Sequence, residues 1–176
     1  MSTTTIPATA IDIYRSLPEG TRCEVLYNQL IMTPAPSTTH QRISIKLSSS
    51  IFAFLEKQQV GEVFEAPVDV YLENYQSVIQ PDILVIMKDN DKAVVSEDGI
   101  YGAPDIVIEI LSGNRIHDTV KKKTLYEAAG VKEYFIIDPL NKNVVLFTYD
   151  ENQRYVMAYE IIGKLTSVLL DYTFDL

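Results

Sequence analysis

The chain has one cysteine, no tryptophan and fewer basic than acidic residues, and each shortage narrows what the protein can be. A lone Cys23 excludes an internal disulfide, suits a reducing compartment and is interpreted as a small structural residue. The N-terminal segment lacks the basic and apolar regions of a secretory signal. No apolar run approaches the roughly 20 residues that a bilayer-spanning helix requires. We therefore expect a cytoplasmic protein without membrane contact.

Basic residues number 15 against 24 acidic ones, which gives a formal charge of −9. This balance argues against a protein whose main role is to coat nucleic acid. It leaves room for an enzyme that combines a local basic patch with a metal ion. We predict one basic cluster near the site described below, made of Arg115, Lys121, Lys122, Lys123 and Lys132. The alternative for such a lysine run is a solvated helix face.

The chain has 176 residues, of which 47% are hydrophobic and 22% charged, as in a soluble globular protein with a sizeable core. We predict one domain over residues 1–176, with residues 1–8 disordered. The pattern of apolar residues predicts an α+β fold. A curved mixed sheet is flanked by a long helix over 39–59 and a shorter helix over 118–129.

Caps and turn residues mark several boundaries. Thr9 is expected to cap a short first helix, and Ser37 is expected to precede the long helix, which Gly61 ends. Alternation on both sides of Tyr27–Asn28 predicts a hairpin. Residues 88–99 are polar and are predicted to form a loop.

Two apolar segments open with Pro-Asp, and the second contains an acid. Residues 78–87 are predicted to form one strand carrying Asp82, and residues 104–112 a central strand carrying Glu109. An unpaired buried carboxylate costs several kcal/mol, so Glu109 needs a metal, a catalytic role or a buried partner. Asp105, Val107, Glu109 and Leu111 share one face of their strand. If the strands are neighbours, Asp82 and Glu109 form the oxygen-rich site that Mg²⁺ prefers.

Lys122 is the lysine best placed to join these acids. It lies in the helix that follows the Glu109 strand, and Asp118, Lys122 and Tyr126 recur every four residues on one helix face. A lysine there can orient a water or neutralise charge on a phosphate. The alternative is a surface ion pair between Asp118 and Lys122, worth a few tenths of a kcal/mol.

The remaining polar candidates have simpler interpretations. Asp105 follows a proline and is expected to cap the loop before its strand, and Asp138 is expected to be a turn residue. His40, in the first turn of the long helix, is either a packed group or one that lies over the cleft. Glu24 lies in the first hairpin, where most strand glutamates face solvent.

Together these segments resemble a known family. PDILVI, GAPDIVIEILS, the D-x-x-x-K-x-x-x-Y pattern of Asp118–Lys122–Tyr126 and AAGVKEYFIIDP are similar to the Uma-two family of restriction-endonuclease-like proteins. That family belongs to the PD-(D/E)xK nuclease superfamily. The resemblance runs from about Tyr14 to the C-terminus and includes the Glu24–Leu30 hairpin and His40.

The resemblance implies a nuclease-type core with Asp82 and Glu109 as Mg²⁺ ligands, Mn²⁺ being a possible substitute. The superfamily lysine two residues after the acid is absent, because Leu111 stands there, and the family places this lysine on the following helix as Lys122. It also implies supporting roles for Glu24 and His40.

Three features depart from the family pattern. The hairpin glycine is Asn28, the loop after the acid is one residue shorter at Ser112–Gly113, and the chain is acidic.

The leading hypothesis is a Mg²⁺-dependent endonuclease acting on DNA, with Asp82, Glu109 and Lys122 as its site and a homodimer as its assembly. The second hypothesis is a non-catalytic descendant that serves as an interaction or nucleic-acid-sensing module. A third makes the acids a structural cluster that Lys122 neutralises.

Overall fold

The computed structural model describes residues 9–18, 20–112 and 116–176, and for residues 116–119 it describes the backbone alone. The predicted disorder of residues 1–8, the loop at Gly113, the side chain of Arg115 and that of Asp118 lie outside the described part. The helices are α1 (Ala10–Ser16), α2 (Thr38–Gln58) and α3 (Ile116–Ala129). The strands are β1 (Cys23–Leu26), β2 (Gln29–Met32), β3 (Gly61–Glu65), β4 (Val70–Leu72), β5 (Ser77–Ile79), β6 (Ile83–Met87), β7 (Val94–Ser96), β8 (Gly99–Tyr101), β9 (Ile106–Ile110), β10 (Glu133–Asp138), β11 (Asn143–Tyr149), β12 (Tyr155–Ile162), β13 (Lys164–Ser167) and β14 (Tyr172–Asp175).

The α+β class is confirmed, but the strands divide between two large sheets where the sequence suggested one. The first, here the cleft sheet, has the order β2-β1-β5-β4-β8-β7. The second, here the core sheet, has the order β12-β11-β10-β9-β6-β3, and β13 and β14 pair separately. The sheets separate because the predicted strand over 78–87 breaks at Gln80–Asp82 into β5 and β6, which join different sheets.

The core sheet has an apolar layer on each face. One face packs on α2 and the C-terminal strands through residues such as Leu47, Ile108 and Phe174. The other packs on α3 and the cleft sheet through residues such as Leu125 and Val107. Because both faces of the core sheet are buried, every residue of β9 except Glu109 is aliphatic.

Most local boundaries follow their sequence signals. Thr9 caps α1 in a capping box with Asp12, and the Ser37 hydroxyl accepts a hydrogen bond from the His40 N–H at the start of α2. Tyr27 and Asn28 both have positive φ, as a tight hairpin turn requires.

Two boundaries differ from the prediction. α2 ends at Gln58, and the residue that caps it, Gln59, adopts the left-handed conformation in place of the predicted stop at Gly61. Gly61 instead begins β3, where a Cβ would lie 2.5 Å from the Ile86 carbonyl oxygen. The loop predicted over 88–99 contains β7 and leads into β8, a short antiparallel pair that extends the cleft sheet.

Within the described residues, no helix combines the length and apolar character needed to cross a membrane.

Candidate active site

The register of the core sheet places Asp82 opposite Glu109. β6 and β9 are antiparallel, with Ile83 paired to Ile108 and Leu84 to Val107. Extending this register by one residue brings Asp82 beside Glu109 on the face that packs against the cleft sheet. The two strands are thus neighbours, as expected.

α3 returns the chain over this face and brings Lys122 to the acids. β9 and β10 are parallel neighbours, so the connection between them crosses the sheet, and α3 forms that connection. The Lys122 Nζ atom lies 3.0 Å from Glu109 Oε1 and 2.8 Å from Glu24 Oε1. The Lys122 side chain is only 6% exposed, so the alternative of a surface ion pair is wrong.

Glu24 therefore does not face solvent as most strand glutamates do. It lies in β1 of the cleft sheet and is buried. Besides Lys122, its Oε1 atom accepts a hydrogen bond from the Gln80 backbone N–H at 2.8 Å. Glu24 thus joins the two sheets at the site.

Glu109 has two donors on the same oxygen. The Tyr126 hydroxyl donates to Glu109 Oε1 at 2.6 Å, beside the Lys122 contact. Burial raises the pKa of Glu109 to about 7, Lys122 opposes that rise, and the nearby Asp82 and Glu24 carboxylates add to it. Burial alone would lower the pKa of Lys122, but Glu109 and Glu24 outweigh burial and raise it above its usual value. Lys122 is consequently a permanent cation shared between acids.

Asp82 and His40 form the second pair of the site. The His40 Nε2 atom lies 3.0 Å from Asp82 Oδ2, and the Ile110 backbone N–H donates to the same oxygen at 2.7 Å. The side chain of Asp82 is 20% exposed, more than any other site acid. The Nδ1 atom of His40 is buried, with no hydrogen-bond partner among the described residues.

Each acid keeps one oxygen free of donors from the described residues. The bonds above all use Glu24 Oε1, Asp82 Oδ2 and Glu109 Oε1. The second oxygen of each carboxylate has no donor in the described part of the chain. Among the described residues, Lys122 is the one buried lysine that contacts these acids, so within the described part of the chain the cluster has an excess of negative charge and open acceptor positions.

Two of the three acids, Glu24 and Asp82, line a large cleft. Its volume is about 1220 Å³, and Glu24, His40 and Asp82 are among its lining residues. Glu109 and Lys122 are not among them. A substrate bound in the cleft would therefore contact Asp82 directly, while Glu109 lies behind the cleft lining.

The predicted basic cluster is not gathered at this site. Lys132 pairs with Asp105 at 2.8 Å, and the Lys123 Nζ atom lies 3.9 Å from the centre of the Phe147 ring. Lys121 is exposed and Lys122 is buried, while Arg115 is outside the described residues. The predicted patch is wrong for Lys123, which points away from Lys122 on α3, and for Lys132, which lies beyond α3 beside Asp105.

The other two acids have structural partners. Asp105 is buried and accepts hydrogen bonds from the Met87 backbone N–H and the Asn90 side chain, each at 2.7 Å. Asp138 accepts a hydrogen bond from the Leu140 N–H, as a turn residue does. Cys23 is fully buried, consistent with a small structural residue.

Comparison with known families identifies the chain. The model of the Uma2 family, described as "Putative restriction endonuclease", matches residues 11–165. The chain belongs to the Uma2 family. The resemblance drawn from the sequence motifs is thereby confirmed. A search of curated proteins finds no significant match.

A solved structure shares the fold of this Uma2 protein. It is the crystal structure of "a putative nuclease belonging to DUF820" from Anabaena variabilis ATCC 29413, with a TM-score of 0.69 and 22% sequence identity. The match covers 86% of this chain and 84% of the other. At this identity the likeness establishes a nuclease-like fold.

The donor set of this Uma2 protein fits a Mg²⁺ ion. Within residues 9–18, 20–112 and 116–176, no group of three or more His, Cys, Asp or Glu side chains is arranged as a complete metal site. Mg²⁺ is commonly held by one or two carboxylates, with waters and substrate phosphates completing its shell. The free oxygens of Asp82 and Glu109, together with the excess negative charge, match that requirement.

Two polar residues of the site were missing from the predicted site residues. Tyr126 was placed on the Lys122 face, but its bond to Glu109 depends on how α3 packs. Gln80 bonds Glu24 through its backbone, while its side chain donates to Asp69 at 2.8 Å and to the Tyr14 hydroxyl at 3.1 Å. The only sequence signal was a polar residue directly before Pro81-Asp82.

Proposed function

We propose that the protein is an endonuclease that hydrolyses DNA phosphodiester bonds with Mg²⁺, or Mn²⁺ in its place, held by Asp82 and Glu109. One observation carries the proposal: Glu24 and Glu109, from the two sheets, converge on one buried lysine beside Asp82, and Glu24 and Asp82 line a large cleft. Family membership supports hydrolysis of nucleic acid as the reaction class.

A Mg²⁺ ion bound there would polarise a phosphoryl oxygen and lower the pKa of a bound water. The residues of the chain perform the other tasks. Lys122 uses two of its three Nζ protons on Glu24 and Glu109. The third, which no described residue accepts, orients the attacking water or stabilises negative charge on the phosphate. A fixed ammonium in a buried site is effective because it needs no reorganisation during the reaction.

His40 and Glu24 act through their neighbours. His40 and the Ile110 N–H hold one oxygen of Asp82, which leaves the other oxygen to bind the metal. Glu24 fixes Lys122 and, through Gln80, the chain that leads into Asp82. Both are positioning residues in this proposal.

A second candidate is a non-catalytic interaction or nucleic-acid-sensing module in which Lys122 neutralises a structural acid cluster. The observation in its favour is that Lys122 is already paired with two acids. In that case Asp82→Asn leaves nucleic-acid binding unchanged and there is no cleavage to lose.

The test is cleavage of plasmid, single-stranded and flap DNA with Mg²⁺ or Mn²⁺. We expect wild type to cleave at least one substrate. In Asp82→Asn the activity should fall by about three orders of magnitude, because the substitution removes one proposed ligand of the catalytic metal ion. Asp150→Asn is the matched control, because it makes the same change at the turn between β11 and β12, at the far end of the core sheet from Glu109. No cleavage of any substrate by wild type, or equal cleavage by Asp82→Asn, would refute the proposal.

We also propose a homodimer, because cutting both strands of a duplex requires two active sites. Light scattering at micromolar concentration should give about twice the 19.9 kDa chain mass. A particle of one chain mass would contradict it. Cytoplasmic location and a single domain over residues 1–176 stay predictions.

A further inference from the structure

Arg22 is a cation in the cleft with no assigned role. It is exposed, lines the cleft beside Glu24, and precedes β1 by one residue. Among the described residues its guanidinium makes no ion pair and no side-chain hydrogen bond. An arginine presents five N–H donors in a planar fork that suits phosphate, so an unengaged one in a cleft is a candidate anion ligand.

The backbone fixes the position of Arg22 relative to the acids. Its carbonyl accepts a hydrogen bond from the Thr33 N–H at 2.9 Å, which continues the β1–β2 pairing by one residue. Side chains alternate along a strand, so Arg22 and Glu24 project to the same side, about 7 Å apart along the chain.

The other charged residues of the cleft are engaged or repel phosphate. Arg15 also lines the cleft, but it pairs with Glu73 and lies over the Tyr71 ring. The remaining charged lining residues are the acids Glu24, Asp69, Asp82, Glu97 and Asp98. A polyanion that enters this acidic cleft needs a free cation, and Arg22 is the one found among the described lining residues.

The start of α2 adds a weaker attraction for an anion. α2 begins at Thr38, and its first-turn residues His40 and Gln41 line the same cleft as Arg22. The start of a 21-residue helix carries partial positive charge. A phosphate in the cleft would therefore be attracted both by the Arg22 guanidinium and by the positive end of α2.

We propose that Arg22 binds a backbone phosphate of the substrate strand next to the scissile phosphate. This inference rests on the proposed nuclease function. Arg22 contributes to substrate affinity and not to the chemical step.

The test is DNA binding by fluorescence anisotropy in EDTA, so that cleavage does not interfere. Labelled duplex and single-stranded DNA are titrated with wild type, Arg22→Gln, Arg22→Lys and Arg42→Gln. Arg42 is the matched control, because it is exposed on α2 but does not line the cleft. Arg22→Lys keeps the charge and should stay near wild type.

Loss of one phosphate contact has a specific salt signature. Arg22→Gln should reduce the slope of log affinity against log salt by about 0.9 on duplex or about 0.7 on single strands. On duplex, the affinity defect should then shrink by about 3.5-fold as salt rises from about 50 to about 200 mM. In Mn²⁺-dependent cleavage, KM should rise while kcat stays unchanged.

The outcomes separate this inference from the proposed function. If wild type binds and cleaves DNA but Arg22→Gln matches it in slope and KM, the inference alone is overturned. An equal defect in Arg42→Gln also overturns it, because general charge would then explain the effect. If wild type binds DNA neither in EDTA nor with Mn²⁺ and cleaves none, the inference fails together with the nuclease proposal.

Discussion

The two ends of the β9 segment each bury an acid, yet the acids differ in how they are satisfied. Asp105, just before β9, pairs with Lys132 and accepts hydrogen bonds from the Met87 N–H and the Asn90 side chain, so both of its oxygens have donors. Glu109, near the other end, shares one oxygen between Lys122 and Tyr126, and its second oxygen has no donor in the described residues.

This difference separates a structural acid from a candidate functional one. Donors saturate Asp105, so nothing else is needed to keep it buried. Glu109 lies among other acids, and one lysine cannot neutralise them all. Such an arrangement is poorly stable by itself and well suited to bind a cation. The following predictions use that contrast, from the largest expected effect to the smallest.

Removing the shared lysine should have the largest effect on stability. Lys122→Met leaves Glu24 and Glu109 buried without a cation, and we expect the free energy of unfolding to fall by about 3–5 kcal/mol in metal-free buffer. Urea denaturation measures this. Lys132→Met is the control at the Asp105 end, where the lysine is 49% exposed. If Lys122→Met lowers the free energy of unfolding no more than Lys132→Met does, then unneutralised negative charge does not destabilise the protein around Glu109.

The free energy of unfolding should depend on pH because Glu109 holds a proton more tightly in the folded protein than in the unfolded chain. Its pKa is raised from the usual 4.5 to about 7, so the folded protein holds a proton that the unfolded chain releases. Stability should therefore fall as pH rises from about 4.5 to about 7, by up to about 3 kcal/mol. Buried Glu133 also has a raised pKa and contributes with the same sign, so the informative quantity is the difference from Glu109→Gln. Identical pH curves for wild type and Glu109→Gln would contradict the assignment.

Substitution of Asp105 should lower the stability of the fold and leave metal binding at the site unchanged. Asp105→Ala leaves the Met87 N–H and the Asn90 amide without their acceptor, and we expect a loss of about 2 kcal/mol. Thermal unfolding gives the stability, and Mn²⁺ titration of the folded variant should match wild type. A large loss of Mn²⁺ affinity would show that the two ends are not independent.

The smallest effect should come from the tyrosine. Tyr126→Phe removes a hydrogen bond that lowers the pKa of Glu109, so the midpoint of the Glu109 titration should move further upward. The cost in stability should be about 1 kcal/mol, measured by urea denaturation. Tyr155→Phe is a matched control, because that hydroxyl donates to the Val131 carbonyl instead. A shift of similar size in both variants would mean that the tyrosine bond does not act on Glu109.

The regular periods of strands and helices made the positions of Asp82, Glu109 and Lys122 predictable from the sequence. The two-residue period of a strand places Asp82 and Glu109 on one face once β6 and β9 are neighbours. A helix between parallel strands must lie over the sheet, which brings Lys122 back to Glu109.

The rest depended on contacts between distant segments. Glu24 joins Lys122 across 98 residues, and no local period signals that the two sheets meet there. The break at Gln80–Asp82 has one local signal, since Pro81 indicates a bulge or an edge, but the apolar residues of β5 and β6 on both sides of it still suggested one strand. The sequence distinguishes Asp105, which follows a proline, from Glu109 inside the strand, but only the folded structure shows that donors reach both oxygens of Asp105 and one oxygen of Glu109.

The most direct test of the metal proposal is calorimetric titration with Mn²⁺ and Mg²⁺. Wild type should be compared with Asp82→Ala, Glu109→Ala and Asp150→Ala, the last being a turn acid at the far end of the core sheet. We predict that wild type and Asp150→Ala bind the metal and that both site variants lose binding. Unchanged binding in Asp82→Ala and Glu109→Ala, or no binding by wild type with or without DNA, would contradict the account.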